Sequence, residues 1–204
     1  MRKGVVACSG MVIGLVLLVT AFVGPWYTMN GSGALGMNYD VRLYLTRMET
    51  HGEFMGQEIS TSLSYSQARE NAEQAGVNTE SFTVVDTAFY LALFAMFTAI
   101  ITVIGMLAFV VKKGKQKMMK LLGGVFGLLT CILSLVPALY FMFTGFAQSG
   151  SGFWFTQKAM GMTLSGGPGF AWYLMIVVAI IAVISSVAIL LKKIDQQELL
   201  PQVK

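Results

Sequence analysis

The side chains that could carry catalysis or bind a metal are few and lie far apart in the chain. His51 is the only histidine, and both cysteines, Cys8 and Cys131, fall inside long apolar segments. A zinc site needs several histidine or thiolate ligands, and a catalytic triad needs a histidine beside its nucleophile. The sequence also lacks a glycine-rich phosphate loop and a nucleophile elbow. We therefore expect no enzymatic activity, no cofactor, no metal site and no catalytic residue.

Methionine is the one abundant residue type with metal-binding potential. The chain has 14 methionines, including Met160 and Met162, and thioethers bind Cu(I). Most of them stand at unrelated positions in apolar stretches, where methionine is an ordinary packing residue. The composition favours packing, with a copper site as the less favoured alternative.

Long apolar segments dominate the chain. They cover about 5–24, 84–111, 121–147 and 168–191, and each reaches the ~20 residues that a helix needs to cross a bilayer. A hydrophobic fraction of 55%, a charged fraction of 12% and a mean hydropathy of +0.69 are typical of membrane proteins. We predict one domain over 1–204, an all-α membrane fold built on a left-handed bundle of four transmembrane helices.

These segments contain almost no group that could carry ions or protons. Pumps, transporters and proton relays need charged or strongly polar side chains at membrane depth. Asp86 is the only acidic candidate, and it stands at the border of the second segment, where water or headgroups can solvate it. The sequence therefore disfavours transport by this chain alone.

The distribution of basic residues predicts the topology. Lysines and arginines cluster before the first span, in the connection 112–120 and after the last span, while acidic residues concentrate in 25–83. By the positive-inside rule, 112–120 and both termini are cytoplasmic, and 25–83 and 148–167 are extracellular. We expect an integral protein of the plasma membrane that contacts lipid and does not bind nucleic acid, despite a net charge of +4. Binding of anionic lipid by the lysine cluster remains an alternative.

The first extracellular segment has the alternating pattern of β-strands. Apolar and polar residues alternate over 39–46 and again over 59–65, and Gly52 and Gly56 lie between the two runs. This predicts a hairpin with a long turn that carries His51, followed by a short polar helix over 67–75. An isolated hairpin is marginal in water, so we expect a small antiparallel sheet packed on the bundle.

Aromatic residues mark the borders of the spans. Three of them are consecutive in the second extracellular segment, Phe153, Trp154 and Phe155, and at least one should point toward lipid or a partner. Tryptophan and tyrosine suit the headgroup zone, and this predicts four membrane-interface anchors. The anchors are Trp26, Tyr27, Trp172 and Tyr173.

Small residues recur at helical spacing within the spans. In a bilayer such residues let helices approach closely, and a spacing that alternates between four and three favours left-handed packing. We predict that these stripes pack against helices of the same chain. The predicted packing residues are Gly10, Gly14, Ala92, Ala99, Gly123 and Gly127.

The layout resembles that of the claudin and peripheral-myelin-protein superfamily. The shared features are a short N-terminus, a long strand-forming first extracellular segment with Trp26 near its start, a tight basic turn and a shorter second extracellular segment. The Trp-Gly-Leu-Trp motif and the cysteine pair of that family's first extracellular segment are absent. The resemblance therefore implies a four-span fold with an extracellular sheet, and implies neither junction formation nor a charge-selective pore.

The leading hypothesis is a non-enzymatic membrane protein that associates through its extracellular segments with itself or with another membrane protein. The predicted contact residues are Tyr39, Val41, Leu43, Tyr44, Phe153, Trp154 and Phe155. One alternative is an accessory subunit of a larger channel, transporter or membrane-bound redox enzyme. A second is a small oligomeric pore lined by outer acidic residues such as Asp86.

Overall fold

A computed structural model describes residues 2–33, 37–54, 56–76, 79–111, 116–145, 152–159 and 161–191. Within these ranges the chain forms five helices and six strands. The helices are α1 (Arg2–Val23), α2 (Tyr65–Gln74), α3 (Glu80–Val111), α4 (Gln116–Gly145) and α5 (Phe170–Leu190). The strands are β1 (Tyr27–Ser32), β2 (Asn38–Leu43), β3 (Arg47–Phe54), β4 (Gln57–Ser64), β5 (Phe155–Ala159) and β6 (Met162–Pro168).

Four of the helices form the predicted bundle. Helices α1, α3, α4 and α5 each contain a stretch long and apolar enough to cross a membrane, which confirms four candidate spans. Helix α1 packs on α3 and α5, and α4 packs on the same two helices, so the four form a closed ring. The fourth candidate span, α5, begins at Phe170 rather than at the predicted 168, because Pro168 is the last residue of β6.

Close helix contacts occur where glycine faces another helix. Gly10 and Gly14 of α1 lie against Ile181 of α5, and Gly123 of α4 lies against Gly105 of α3. A side chain at any of these positions would push the two helices apart. The predicted small-residue stripes therefore contact helices of the same chain, where van der Waals packing replaces hydrophobic burial as the source of helix affinity.

Hydroxyl groups bridge the bundle interior. Thr130 Oγ1 lies 3.0 Å from Thr98 Oγ1, which joins α4 to α3, and Thr102 Oγ1 donates to the Thr98 carbonyl at 2.7 Å. Ser186 of α5 packs against Gly127 and donates to Ala182 O at 2.6 Å. These bonds satisfy polar groups that water cannot reach.

All six strands belong to one antiparallel sheet with the order β4-β3-β2-β1-β6-β5. The predicted runs 39–46 and 59–65 correspond to β2 and β4, but they do not pair with each other. Strand β3 lies between them, so the prediction of a direct hairpin was wrong. Gly52, assigned to the turn, is inside β3, and only Gly56, with a φ of +80°, lies in the turn between β3 and β4.

The second connection contributes two strands that the sequence did not predict. Strands β5 and β6 form a tight hairpin, with Gly161 at a φ of +77° between them. Strand β6 then pairs through Thr163–Pro168 with all six residues of β1. The two connections of the bundle therefore build a single sheet, and the two predicted strands are only part of it.

The short helix α2 matches its prediction closely. Ser64 accepts a hydrogen bond from the Gln67 backbone, and the Gln67 side chain accepts one from the Ser64 backbone, which together form a capping box. Arg69 Nη2 of α2 donates to Asp86 Oδ2 of α3 at 2.6 Å. This ion pair ties the end of the sheet to the bundle.

The segment between α1 and β1 joins the sheet to the bundle. Trp26 N donates to Leu43 O at 2.7 Å, and Gly169 N donates to Trp26 O at 2.9 Å. A side chain at Gly169 would overlap the Pro25 carbonyl, so this crossing requires glycine. The strand ends near Trp26, Leu43 and Gly169 contact the bundle, and the opposite strand ends lead away from it.

Candidate interaction surface

The register of the sheet separates its side chains into two faces. Residues directly opposite each other on neighbouring strands point to the same side. One row crosses all six strands and is polar throughout, and the next row toward the free end is polar as well. The first row is Ser60, His51, Asp40, Asn30, Ser165 and Thr156, and the second is Glu58, Glu53, Asn38, Ser32, Thr163 and Lys158. We call this side of the sheet the polar face.

The polar face is concave. A groove of about 560 Å³ runs across β4, β3, β2, β1 and β6, and its lining includes His51, Asp40 and Asn30. A second depression of about 370 Å³ lies beside Trp154, and it shares Asn30 and Ser165 with the first. The two depressions therefore form one continuous surface that extends from β4 to β5.

Charged side chains on this side of the sheet are partly paired. Asp40 Oδ2 accepts from Arg42 Nε at 2.7 Å, and Glu49 Oε1 accepts from Arg47 Nε at 2.7 Å. Tyr44 Oη donates to Glu49 Oε2 at 2.8 Å, and the Arg47 guanidinium stacks on the Tyr44 ring. The hydrogen bond from Arg47 and then that from Tyr44 lower the pKa of Glu49 below its ordinary value.

The glutamates Glu53 and Glu58 stand directly opposite each other on β3 and β4. Like charges at such a pair destabilise a sheet slightly, and both side chains are exposed. Together with Asp40 they make the free end of the groove acidic.

The opposite side of the sheet carries three of the four predicted contact residues of the first segment, Tyr39, Val41 and Leu43, whereas Tyr44 contacts Glu49 and Arg47 on the polar face. The Tyr39 ring lies over Gly31, and the Phe155 ring lies over Gly166, so each aromatic ring covers a glycine on the neighbouring strand. Val41 and Leu43 are half-buried on the same side. Strand β2, predicted from alternation, thus has a half-buried apolar face, whereas the apolar residue Ile59 of β4 is exposed.

The two edges of the sheet differ in length and in exposure. Strand β4 has eight residues, and Gln57–Ser62 are all exposed, including Ile59 at 58%. Strand β5 has five residues, among them Lys158. Short edges and lysine side chains protect a sheet from pairing with another chain. Strand β4 is therefore the less protected edge.

The three consecutive aromatics of the second connection have different environments. Phe153 is buried against Tyr27, Phe141 and Trp172, while the Trp154 side chain is 57% exposed. Phe155 is partly buried. Trp154 is thus the residue of this group that is available to lipid or a partner, as expected for at least one of the three.

Most of the predicted membrane anchors lie inside the protein. Trp26 and Tyr27 are fully buried, with Trp26 Nε1 donating to Ala21 O at 2.9 Å and Tyr27 Oη donating to Phe153 O at 3.0 Å. Trp172 is also buried and donates to Ala138 O at 2.8 Å. Tyr173 is 48% exposed. Because a buried ring cannot contact headgroups, Trp26, Tyr27 and Trp172 pack the protein interior, and only Tyr173 is placed to act as an anchor.

The small residues assigned to helix packing are at helix contacts. Ala92 and Ala99 of α3 are buried, and Gly127 of α4 faces both Ser186 and Thr102. Cys8 is buried in α1, and Cys131 is partly buried in α4. Among the described residues, no group of three or more histidine, cysteine or acidic side chains could hold a metal ion.

His51 has a different position from the one predicted. It lies within β3 rather than in a turn, it is exposed, and its Nδ1 is 3.0 Å from Ser60 Oγ on β4. Asp86, the acidic candidate for a pore, is paired with Arg69 as described above.

Asn30 and Ser165, where the two depressions meet, were not recognised from the sequence as a pair. They are directly opposite on β1 and β6, although they are far apart in the chain. The weak alternation of Tyr27, Met29 and Gly31 was the only local signal for β1. For β6, the local signal was Gly161, which lies in the turn one residue before the strand.

No protein-family model matches this chain, and no curated protein matches it. The resemblance to the claudin and peripheral-myelin-protein superfamily therefore stays a prediction from layout.

Proposed function

We propose that this chain is a non-enzymatic membrane protein that binds another protein through its sheet, with the sheet on the outer side of the plasma membrane and both termini in the cytoplasm. The partner is a second copy of the chain or another membrane protein. The observation that carries this proposal is the long exposed edge strand β4 on a sheet that leads away from a bundle whose charged residues lie at its borders.

The helix contacts inside the bundle support the proposal. Its small residues and hydroxyl groups contact other helices of the same chain, as at Gly127 with Ser186 and at Thr130 with Thr98. The sheet, in contrast, has an exposed edge, a concave polar face and the exposed Trp154 side chain. Exposed backbone donors and acceptors on an edge strand are a common means of recognising a second polypeptide.

The experiment compares a sheet variant with a helix variant of the full chain. The tagged protein is purified from its native membrane in mild detergent, and its mass and composition are measured by light scattering and mass spectrometry. The sheet variant carries Ile59→Lys and Trp154→Gln, and the helix variant carries Phe94→Ala and Ile104→Ala. All four positions are strongly exposed, between 57% and 60%.

We expect the associated protein, whether a second copy or another chain, to be lost from the sheet variant and retained by the helix variant. Circular dichroism of both variants checks that the helices remain. A complex that survives in the sheet variant, or a chain that is monomeric in every preparation, would contradict the proposal.

One observation favours the accessory-subunit alternative. Large apolar side chains of α3 form an exposed stripe at helical spacing, which includes Tyr90, Phe94, Phe97 and Ile104. Such a stripe suits lipid, and it also suits a helix of a larger subunit. Loss of the complex in the helix variant alone would support this alternative.

A further inference from the structure

The edge strand β4 has the features of a strand that can pair with another strand. Its eight residues, Gln57–Ser64, contain no proline and one charged residue, Glu58. One side of the strand pairs with β3, and no described strand pairs with the other side. Proline, lysine and short length normally protect such an edge, and β4 has none of these.

The sequence of β4 is complementary to itself in one antiparallel register. If two copies pair about Thr61, Ile59 of one copy lies opposite Leu63 of the other on the apolar side. On the polar side Glu58 lies opposite Ser64, so the two glutamates avoid each other. A register centred near Glu58 would instead bring like charges together and shorten the pairing. Cross-strand apolar pairs stabilise a sheet, and opposed like charges destabilise it.

We propose that the free edge of β4 pairs antiparallel with β4 of a second copy about a two-fold axis at Thr61, and that this pairing joins copies in two facing membranes. The inference rests on the proposed function and names its partner. A two-fold contact uses the same patch on both copies, which a self-complementary strand provides. The result is a continuous sheet of twelve strands, with both polar faces on the same side.

The facing arrangement follows from the direction of the strands. The ends of β1, β2 and β6 near Trp26, Leu43 and Gly169 are attached to the bundle, while Ser32 and Asn38 at the other ends are exposed. In an antiparallel pair, the bundle end of one sheet lies beside the free end of the other. The two bundles therefore lie at opposite ends of the joined sheet.

A charge swap at the two-fold axis tests the pairing without relying on one variant that might misfold. Thr61→Lys places two lysines opposite each other, and Thr61→Glu places two glutamates there. The full chain is reconstituted into phosphatidylcholine vesicles, and vesicle clustering is measured by light scattering. Gln157→Lys, on the opposite edge strand β5, is the matched control because Gln157 is also exposed and lies outside the polar face.

We expect the apparent affinity for clustering to fall by about tenfold or more in each Thr61 variant alone, where tenfold corresponds to ~1.4 kcal/mol. Mixing vesicles that carry Thr61→Lys with vesicles that carry Thr61→Glu should restore clustering, because opposite charges then face each other. The Gln157→Lys protein should cluster like the unsubstituted chain. Clustering that is unchanged by Thr61→Lys, or not restored in the mixture, would overturn the proposal.

Cross-linking tests the register. Residues directly opposite in an antiparallel pair have Cα atoms about 4.5–5.5 Å apart, which a disulfide can bridge. Thr61→Cys should therefore form a dimer on mild oxidation, whereas Glu58→Cys, three residues from the axis, should not. The unsubstituted chain reports any background from Cys8 and Cys131. A dimer through Glu58→Cys and none through Thr61→Cys would overturn the register.

The outcomes separate this inference from the proposed function. A complex with a different protein that is insensitive to both Thr61 variants would overturn the inference and leave the proposed function standing. Dimers within one membrane, without vesicle clustering, would overturn the facing arrangement. A chain with no association in any preparation would overturn both.

Discussion

The bundle and the sheet are held together by different kinds of side-chain contact. In the bundle, helices meet through glycine, alanine and buried hydroxyl groups, and the charged residues lie at its borders. In the sheet, aromatic rings cover glycines on neighbouring strands, and two ion pairs lie on the polar face. The small residues of the bundle are thus used for contacts within the chain, whereas the sheet has an exposed edge strand and a polar face.

The junction between the two regions should be the most sensitive point of the molecule. Trp26→Ala would remove a fully buried indole and its hydrogen bond to Ala21 O, which we expect to lower the free energy of unfolding by about 3–5 kcal/mol. The measurement is detergent-solubilised thermal unfolding followed by circular dichroism. Trp154→Ala is the control, since removal of this 57% exposed side chain should lower the free energy of unfolding much less. Equal losses would show that the junction is not specially packed.

The next largest effect should occur inside the bundle. A side chain at Gly127 would overlap the Ser186 hydroxyl, so Gly127→Ala should lower the free energy of unfolding by about 1–3 kcal/mol through overpacking. Val125→Leu, at a half-exposed position on the same helix, should have little effect. If Gly127→Ala left the free energy of unfolding unchanged, α4 and α5 could separate slightly without loss of stability.

A smaller, pH-dependent effect on stability is expected at Tyr27, which joins the sheet to the second connection. Burial raises the pKa of Tyr27 to about 12 from an ordinary value of 10, so the folded state favours the neutral phenol. Its contribution to stability is present below pH 10 and is lost as the pH rises from 10 toward 12. Tyr27→Phe should cost about 1 kcal/mol at neutral pH by removing the bond to Phe153 O, and should make the alkaline loss shallower. If Tyr27→Phe did not change the loss of stability at alkaline pH, ionisation of Tyr27 would not be its cause.

The smallest effect should come from the exposed side of the sheet. The hydrogen bond from Arg47 keeps the pKa of Glu49 low, so the pair stabilises the sheet above the ordinary value of 4.5 and loses this contribution as the pH falls below it. Glu49→Gln should flatten the acid limb of a stability profile and change stability at pH 7 by less than about 1 kcal/mol. A larger loss would indicate that the polar face is more tightly ordered than the exposure of Arg47 suggests.

Prediction from the sequence succeeded where the signal is local. The four spans and α2 follow from residues close together in the chain, through hydropathy, length and the capping box at Ser64 and Gln67. Strand β3 was missed because its charged residues and Gly52 have the composition of a turn. Strand β5 was missed because it has only five residues, and β6 because it carries two glycines and is stabilised by β1 from a distant part of the chain.

Length, hydropathy and residue type are local properties, and they were enough to predict four apolar helices and a strand-forming connection. The folded chain was needed to show that Trp26 is buried, that Asn30 lies opposite Ser165 and that β4 is at an edge of the sheet formed by the described strands. These facts depend on which distant segments pair, and pairing is selected by the packing of the whole sheet against the bundle.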